Sequence, residues 1–212
     1  MLSSVRAALL TLCLVATCAQ AQTRTLALYV GPARGLDQES SQTVQLELRK
    51  LLAPAAVELI WKSSAQPKLV EDFDWVAVSS FQGLCSVTDL PPAPPGATGN
   101  PPSLADTSMS KGHIQPFFHV DCDRLVRMLK PELDPLNVIS RQLVFGRALA
   151  RVIAHEIYHI LAQTPEHEDK GVAKPAFSLH DLTTARFEFD AWSLARMKPL
   201  PRARSFDSEE TR

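Results

Sequence analysis

Residues 138–163 read VISRQLVFGRALARVIAHEIYHILAQ and carry a helical pattern without an internal proline. Gly146 is the weak point of this pattern, because glycine has a low helix propensity. Apolar residues between the polar positions indicate that the second half of the stretch is buried; they are Val152, Ile153, Ile157, Ile160 and Leu161. The sequence therefore predicts one long helix over residues 138–163, on which the rest of the fold packs.

Two histidines and a glutamate in this helix form the pattern H-E-x-x-H. His155 and His159 are four residues apart, so they lie one turn apart on the same helix face and can reach one metal ion. Glu156 is rotated about a third of a turn from His155, so its carboxylate can approach a water molecule beside the metal without binding the metal. The alternative is a helix whose two histidines are only hydrogen-bonded within the fold.

A zinc site needs a third protein ligand and an open fourth position. His167 is the leading candidate, because it lies eight residues after His159 and Pro165 disfavours a continuing helix and turns the chain back. The same residue is also compatible with a solvated loop histidine among acidic neighbours. Glu188 and Asp190 are the next candidates, since a carboxylate from a following helix is the other common solution for this motif.

The other histidines are expected to have different roles. His180 is expected to line the pocket, with metal binding as the alternative, and either His180 or Arg186 could assist a developing oxyanion. His113 and His119 are expected at the surface of a strand or loop.

The remaining pattern predicts alternating strands and helices without internal repeats. Strands are predicted over residues 25–30, 57–61, 74–79 and 113–120, and helices over 40–52, 122–130 and 179–197. Pro131 is expected to end the helix at 122–130. This order predicts an α+β fold, in which a small mixed sheet packs on the long helix and further helices follow it.

The first 21 residues are predicted to be a signal peptide. A positively charged start precedes an apolar run at residues 7–16, which is too short to span a bilayer. Small residues at Ala19 and Ala21 fit cleavage before Gln22. The alternatives are a buried helix, a membrane anchor or a lipid-modified Cys18. Cleavage predicts a protein exported to the periplasm or beyond, without stable insertion in the membrane.

The remaining chain is predicted to be one domain over residues 22–198, with a proline-rich loop at 91–102 and a charged, disordered tail at 199–212. Cleavage would leave Cys85 and Cys122, and two thiols in an exported protein favour a disulfide. The net charge of −1 argues against nucleic acid as the main partner.

The segment from Arg151 to Ala162, continued by His167 and by Gly171-Val172-Ala173-Lys174, resembles the exported zincin-type metallopeptidase-like proteins of bacteria. It is more distantly similar to the metzincins. The clear resemblance covers about residues 145–190 and implies a zincin-like fold. It also implies His155, His159 and His167 as ligands of Zn²⁺, and it implies Glu156 as the general base.

The expected function is therefore that of a secreted or periplasmic zinc metallopeptidase. Its substrate would be a peptide or protein, and Glu156 would take the proton of the attacking water. Two alternatives stay open. The chain could be a zinc-binding protein on a zincin scaffold without turnover, or an exported interaction module in which the motif is fortuitous.

Overall fold

The computed structural model describes residues 23–65, 72–90 and 103–198. Within them the strands are β1 (Arg24–Val30), β2 (Val57–Ser63), β3 (Trp75–Gln82), β4 (Ala105–Ser110) and β5 (His113–Asp121). The α-helices are α1 (Gln38–Leu52), α2 (Cys122–Leu133), α3 (Val138–Ala162), α4 (Leu179–Thr183) and α5 (Ala191–Met197). This architecture confirms the predicted α+β class. The predicted signal peptide, the proline-rich loop and the charged tail lie outside the described residues.

The five strands form one mixed sheet in the order β2-β1-β3-β5-β4. All neighbouring strands are parallel except β4, which pairs antiparallel with β5 at one edge of the sheet. A two-residue turn joins this pair, and both its residues have positive φ, 50° at Lys111 and 80° at Gly112. This backbone suits the twist of a tight hairpin, and glycine adopts it without a steric penalty. β4 was not predicted, because its sequence ADTSMS offers little apolar alternation and most of its residues are not buried.

The long helix α3 packs beside α1 and across the sheet, and sixteen of its 25 residues are buried. Gly146 allows the close approach of α1, because a Cβ at this position would lie 2.7 Å from the carbonyl oxygen of Ser40. The residue that weakens the helical pattern is therefore required by the packing. Among the described helices, none combines the length and apolar character needed to cross a membrane.

Two helix predictions were wrong, one in the number of helices and one in a boundary. The helix expected over residues 179–197 is two short helices, α4 and α5, separated by residues 184–190. Each has its own N-terminal cap, since the side chain of Ser178 accepts a hydrogen bond from the amide of Asp181 and that of Asp190 accepts one from Ser193. The segment between them is fixed by tertiary bonds, including one from the Arg151 guanidinium to the carbonyl of Thr184.

The wrong boundary is at Pro131, which does not end α2. The helix continues to Leu133, whose side chain is fully buried. Proline lacks an amide hydrogen and costs one helical hydrogen bond. Burial of Leu133 in the core favours the additional turn despite that loss.

Cys85 and Cys122 form the predicted disulfide, and both side chains are fully buried. Cys122 is the first residue of α2, and Cys85 follows β3. The bond therefore ties the start of α2 to the chain that leaves the central part of the sheet.

We expect the non-reduced protein beginning at Gln22 to contain no titratable thiol, even when it is denatured. The disulfide links residues 37 positions apart. On the chain-entropy model, removing such a link by a double Cys→Ala substitution costs about 3–4 kcal/mol of unfolding free energy. Thiol titration in denaturant, with a fully reduced sample as the control, checks the first expectation. Two thiols before reduction would contradict it.

Candidate metal centre

The end of α3 carries the H-E-x-x-H residues in a buried setting. His155, Glu156 and His159 are 9%, 4% and 6% exposed, respectively. The helix ends at Ala162 and is capped by Gln163, which has a left-handed backbone conformation. The chain then reverses, and residues 164–173, called the return segment below, pass the last turns of α3.

The return segment brings His167 to the two helical histidines. The candidate ligand atoms of His155, His159 and His167 all lie within 4.8 Å of one another. Nitrogen ligands of a tetrahedral zinc ion with bonds of about 2.1 Å are about 3.4 Å apart. The three imidazoles therefore need only small adjustments to hold one metal ion.

Backbone carbonyl groups of the return segment fix the orientation of both helical imidazoles. Nδ1 of His155 lies 2.8 Å from the carbonyl oxygen of Val172, and Nδ1 of His159 lies 2.7 Å from that of Thr164. A carbonyl oxygen can only accept, so each Nδ1 carries the hydrogen and donates it. In the neutral rings, each Nε2 therefore keeps an unshared electron pair. Nε2 is the atom that can bind a metal.

The two Nε2 atoms of His155 and His159 are 3.1 Å apart. With both Nδ1 atoms protonated, two electron pairs face each other at this distance, an unfavourable arrangement unless a cation or a proton lies between them. Desolvation lowers the pKa of the buried His155 to about 3, and it also lowers the pKa of His159 and of the more exposed His167. The cluster is therefore neutral at pH 7, and a metal cation fits it better than protons do.

Glu156 lies beside the histidines and is held by the edge strand. The hydroxyl of Thr107 on β4 donates a hydrogen bond of 2.6 Å to Oε2 of Glu156. Burial raises the pKa of Glu156 to about 7, against the opposing effect of the Thr107 hydrogen bond. A carboxyl group with this pKa can take up and release a proton near neutral pH.

A pocket of about 380 Å³ opens beside these side chains. The three histidines and Glu156 line it together with β4 residues and the chain after the return segment. The other lining residues include Leu104, Asp106, Thr107, Met109, Ile114, Met128, Val152, Lys174 and Phe177. The arrangement therefore combines a candidate metal-binding cluster, a proton acceptor and a substrate-sized cavity.

The carboxylate alternatives for the third ligand lie elsewhere. The side chain of Asp190 caps α5 by accepting a hydrogen bond from the amide of Ser193, and the side chain of Glu188 is exposed. Within the residues that the structure describes, the candidate metal-binding cluster contains neither of them. The structure thus brings His167 to the cluster, and its role as a ligand stays a prediction.

Of the remaining predicted residues, His180 and Arg186 are exposed and are not among the residues that line this pocket. The expectation that His180 lines it was therefore wrong, because His180 is the second residue of the short helix α4 and its side chain is exposed. His113 and His119 are exposed on β5, as predicted. His119 pairs across the sheet with Asp106 at 2.7 Å.

Sequence reasoning missed Thr107, Lys174 and the two carbonyl acceptors. Thr107 lies on the strand that was not predicted, and backbone carbonyls have no sequence signature. Lys174 lines the pocket and pairs with Asp181, a contact that depends on where α4 begins. No model of a known protein family matches this chain, and no curated protein matches it significantly.

Proposed function

We propose that this protein is an exported zinc-dependent metallopeptidase that hydrolyses peptide bonds. The observation that carries the proposal is the close approach of the Nε2 atoms of His155 and His159. His167 lies in the same cluster, and the proton acceptor Glu156 lines the same pocket. The resemblance of residues 145–190 to zincin-type proteins supports the same function. The buried disulfide is compatible with export.

Three neutral imidazoles suit zinc, and they leave the full charge of the ion uncompensated. When bound, zinc would supply Lewis acidity toward a water molecule and the scissile carbonyl. His155 and His159 are preoriented for this task by the carbonyls of Val172 and Thr164. His167 would be the third ligand.

Glu156 would act as the general base. Its carboxylate faces the same pocket as the histidines, and it would take a proton from the attacking water and pass it to the leaving amine. Thr107 holds one oxygen of this carboxylate, which leaves the other oxygen for the proton transfer. The side chain therefore needs little rearrangement during the reaction.

The strand β4 supports a peptide as the substrate. It is one of the two edge strands of the described sheet, and its residues line the pocket beside Glu156. An extended peptide can add to such an edge through main-chain hydrogen bonds. The pocket also has an apolar wall formed by Leu104, Ile114, Met128 and Val152, so we expect an apolar substrate side chain next to the cleaved bond.

A peptide-library cleavage assay with and without a chelator tests the proposal. The purified protein should contain about one zinc ion per chain, lose cleavage after chelation and regain it when zinc is restored. The control is a serine peptidase treated identically, whose activity the chelator should leave unchanged. Zinc binding without cleavage of any peptide would replace the proposal with the zinc-binding protein that lacks turnover. A protein that binds no metal would contradict both.

A further inference from the structure

The return segment supplies three groups to the candidate metal centre. They are the imidazole of His167 and the carbonyl oxygens of Thr164 and Val172. The return segment is not helical, except for the short 3-10 turn at Gly171–Ala173. Their positions therefore depend on the contacts that hold the return segment in place.

Glu168 provides such contacts from the position next to His167. Its Oε1 accepts a hydrogen bond of 3.0 Å from the hydroxyl of Tyr158 and one of 3.1 Å from Nη1 of Arg196. Its backbone amide donates to the carbonyl of Ala173 at 2.9 Å, which closes the return segment on itself. One residue thus joins the return segment to α3, through Tyr158, and to α5, through Arg196.

The surroundings of Glu168 make these bonds stronger than ordinary surface contacts. Tyr158 is fully buried, and its hydroxyl needs an acceptor because an unpaired buried polar group is costly. The side chain of Glu168 is only 15% exposed. Glu166 contacts the same Arg196 at 3.6 Å, but it is 74% exposed, and surface ion pairs of this kind contribute little.

We propose that Glu168 is a positioning residue for the metal centre, held between Tyr158 of α3 and Arg196 of α5. Its bonds fix the return segment so that His167 and the two carbonyl acceptors meet His155 and His159. Helix α5 thereby contributes to metal retention through Arg196. This inference rests on the metal site of the proposed function, and it assigns a role to residues that neither bind the metal nor contact the substrate.

Zinc affinity, measured by competition with a chromogenic chelator, tests the role of Glu168. Substitution of a residue that orients metal ligands typically lowers metal affinity by about 10–100-fold, and we expect this loss for Glu168→Ala. Glu168→Gln keeps an acceptor for Tyr158 and should recover part of the affinity. Glu166→Gln is the matched control in the same segment, and its affinity should stay within about twofold of the unsubstituted protein.

A second measurement separates positioning from general stability. Co²⁺ bound in place of zinc reports the number and geometry of its ligands through its visible spectrum, and Glu168→Ala should change this spectrum. Arg196→Gln tests the same contact from α5 and should also weaken zinc binding. It replaces Glu168→Ala as the test if that variant does not fold. Glu166→Gln should leave the spectrum unchanged.

An unchanged zinc affinity and Co²⁺ spectrum in Glu168→Ala would overturn the inference, whatever the variant's thermal stability. The same holds if Glu168→Ala does not fold and Arg196→Gln binds zinc as the unsubstituted protein does. In both cases the proposed function would stand. Failure of the unsubstituted protein to bind metal would overturn the proposed function and this inference together.

Discussion

Replacing Glu156 by Gln should lower peptide hydrolysis by about a hundredfold or more, while zinc content stays near one ion per chain. Gln has the same shape and can still accept the hydrogen bond from Thr107. Its amide cannot take the proton of the attacking water. Because burial raises the pKa of Glu156 to about 7, the fold disfavours the charged carboxylate, and a neutral amide should not lower stability at pH 7.

Hydrolysis of a cleaved library peptide and metal content by mass spectrometry are the two measurements for this variant. Thermal unfolding provides the control for folding. Undiminished hydrolysis would rule out Glu156 as the general base. Loss of zinc together with activity would show that Glu156 is a ligand, which would change the chemistry assigned to the site.

The part of the site on α3 could be predicted because helix geometry alone determines it. Residues four positions apart share a helix face, so the sequence places His155 near His159 without any knowledge of the remaining fold. Burial of this helix was equally predictable from its apolar residues. The structure adds that both imidazoles are oriented by carbonyls of the return segment, which no sequence pattern indicates.

The part of the site on β4 could not be predicted. This edge strand has few apolar residues, and it is held by pairing with β5 and by the tight turn at Lys111 and Gly112. Hydrophobic periodicity detects strands that bury one face, so it misses a mostly exposed edge. Because β4 was not predicted, Thr107 was missed, and its hydroxyl donates a hydrogen bond to the proposed general base Glu156.

The region after α3 was misjudged for a related reason. Residues 179–197 have a helical composition, but the fully buried guanidinium of Arg151 donates to the carbonyls of Asp181 and Thr184. A buried cation needs such acceptors, and Thr184 supplies one of them at the point where the chain leaves the helical conformation after α4. A tertiary contact therefore overrides local helix propensity there.

The same limitation left the third ligand open between His167, Glu188 and Asp190. Chain length permits all three, because the choice depends on how the return segment folds. In the structure, the amide of Val172 donates to the carbonyl of Glu188 at 3.2 Å. The backbone of Glu188 thus helps to hold the return segment, while its side chain is exposed.

Replacing His167 by Ala should lower zinc affinity by about a hundredfold or more, since the site would lose one of its three proposed protein ligands. Hydrolysis should fall with it. Glu188→Gln and Asp190→Asn are the matched controls, because each removes one of the alternative carboxylates with little change in shape. Asn at position 190 can also keep the cap of α5.

Competition with a chelator measures the three affinities under identical conditions. Zinc affinity near that of the unsubstituted protein is expected for both controls, because neither side chain belongs to the cluster of His155, His159 and His167. A large loss in Asp190→Asn or Glu188→Gln, with His167→Ala unaffected, would instead define a site of two histidines and one carboxylate. In such a site the carboxylate would offset one charge of the ion, so the ion would acidify water less strongly than it does with three neutral imidazoles.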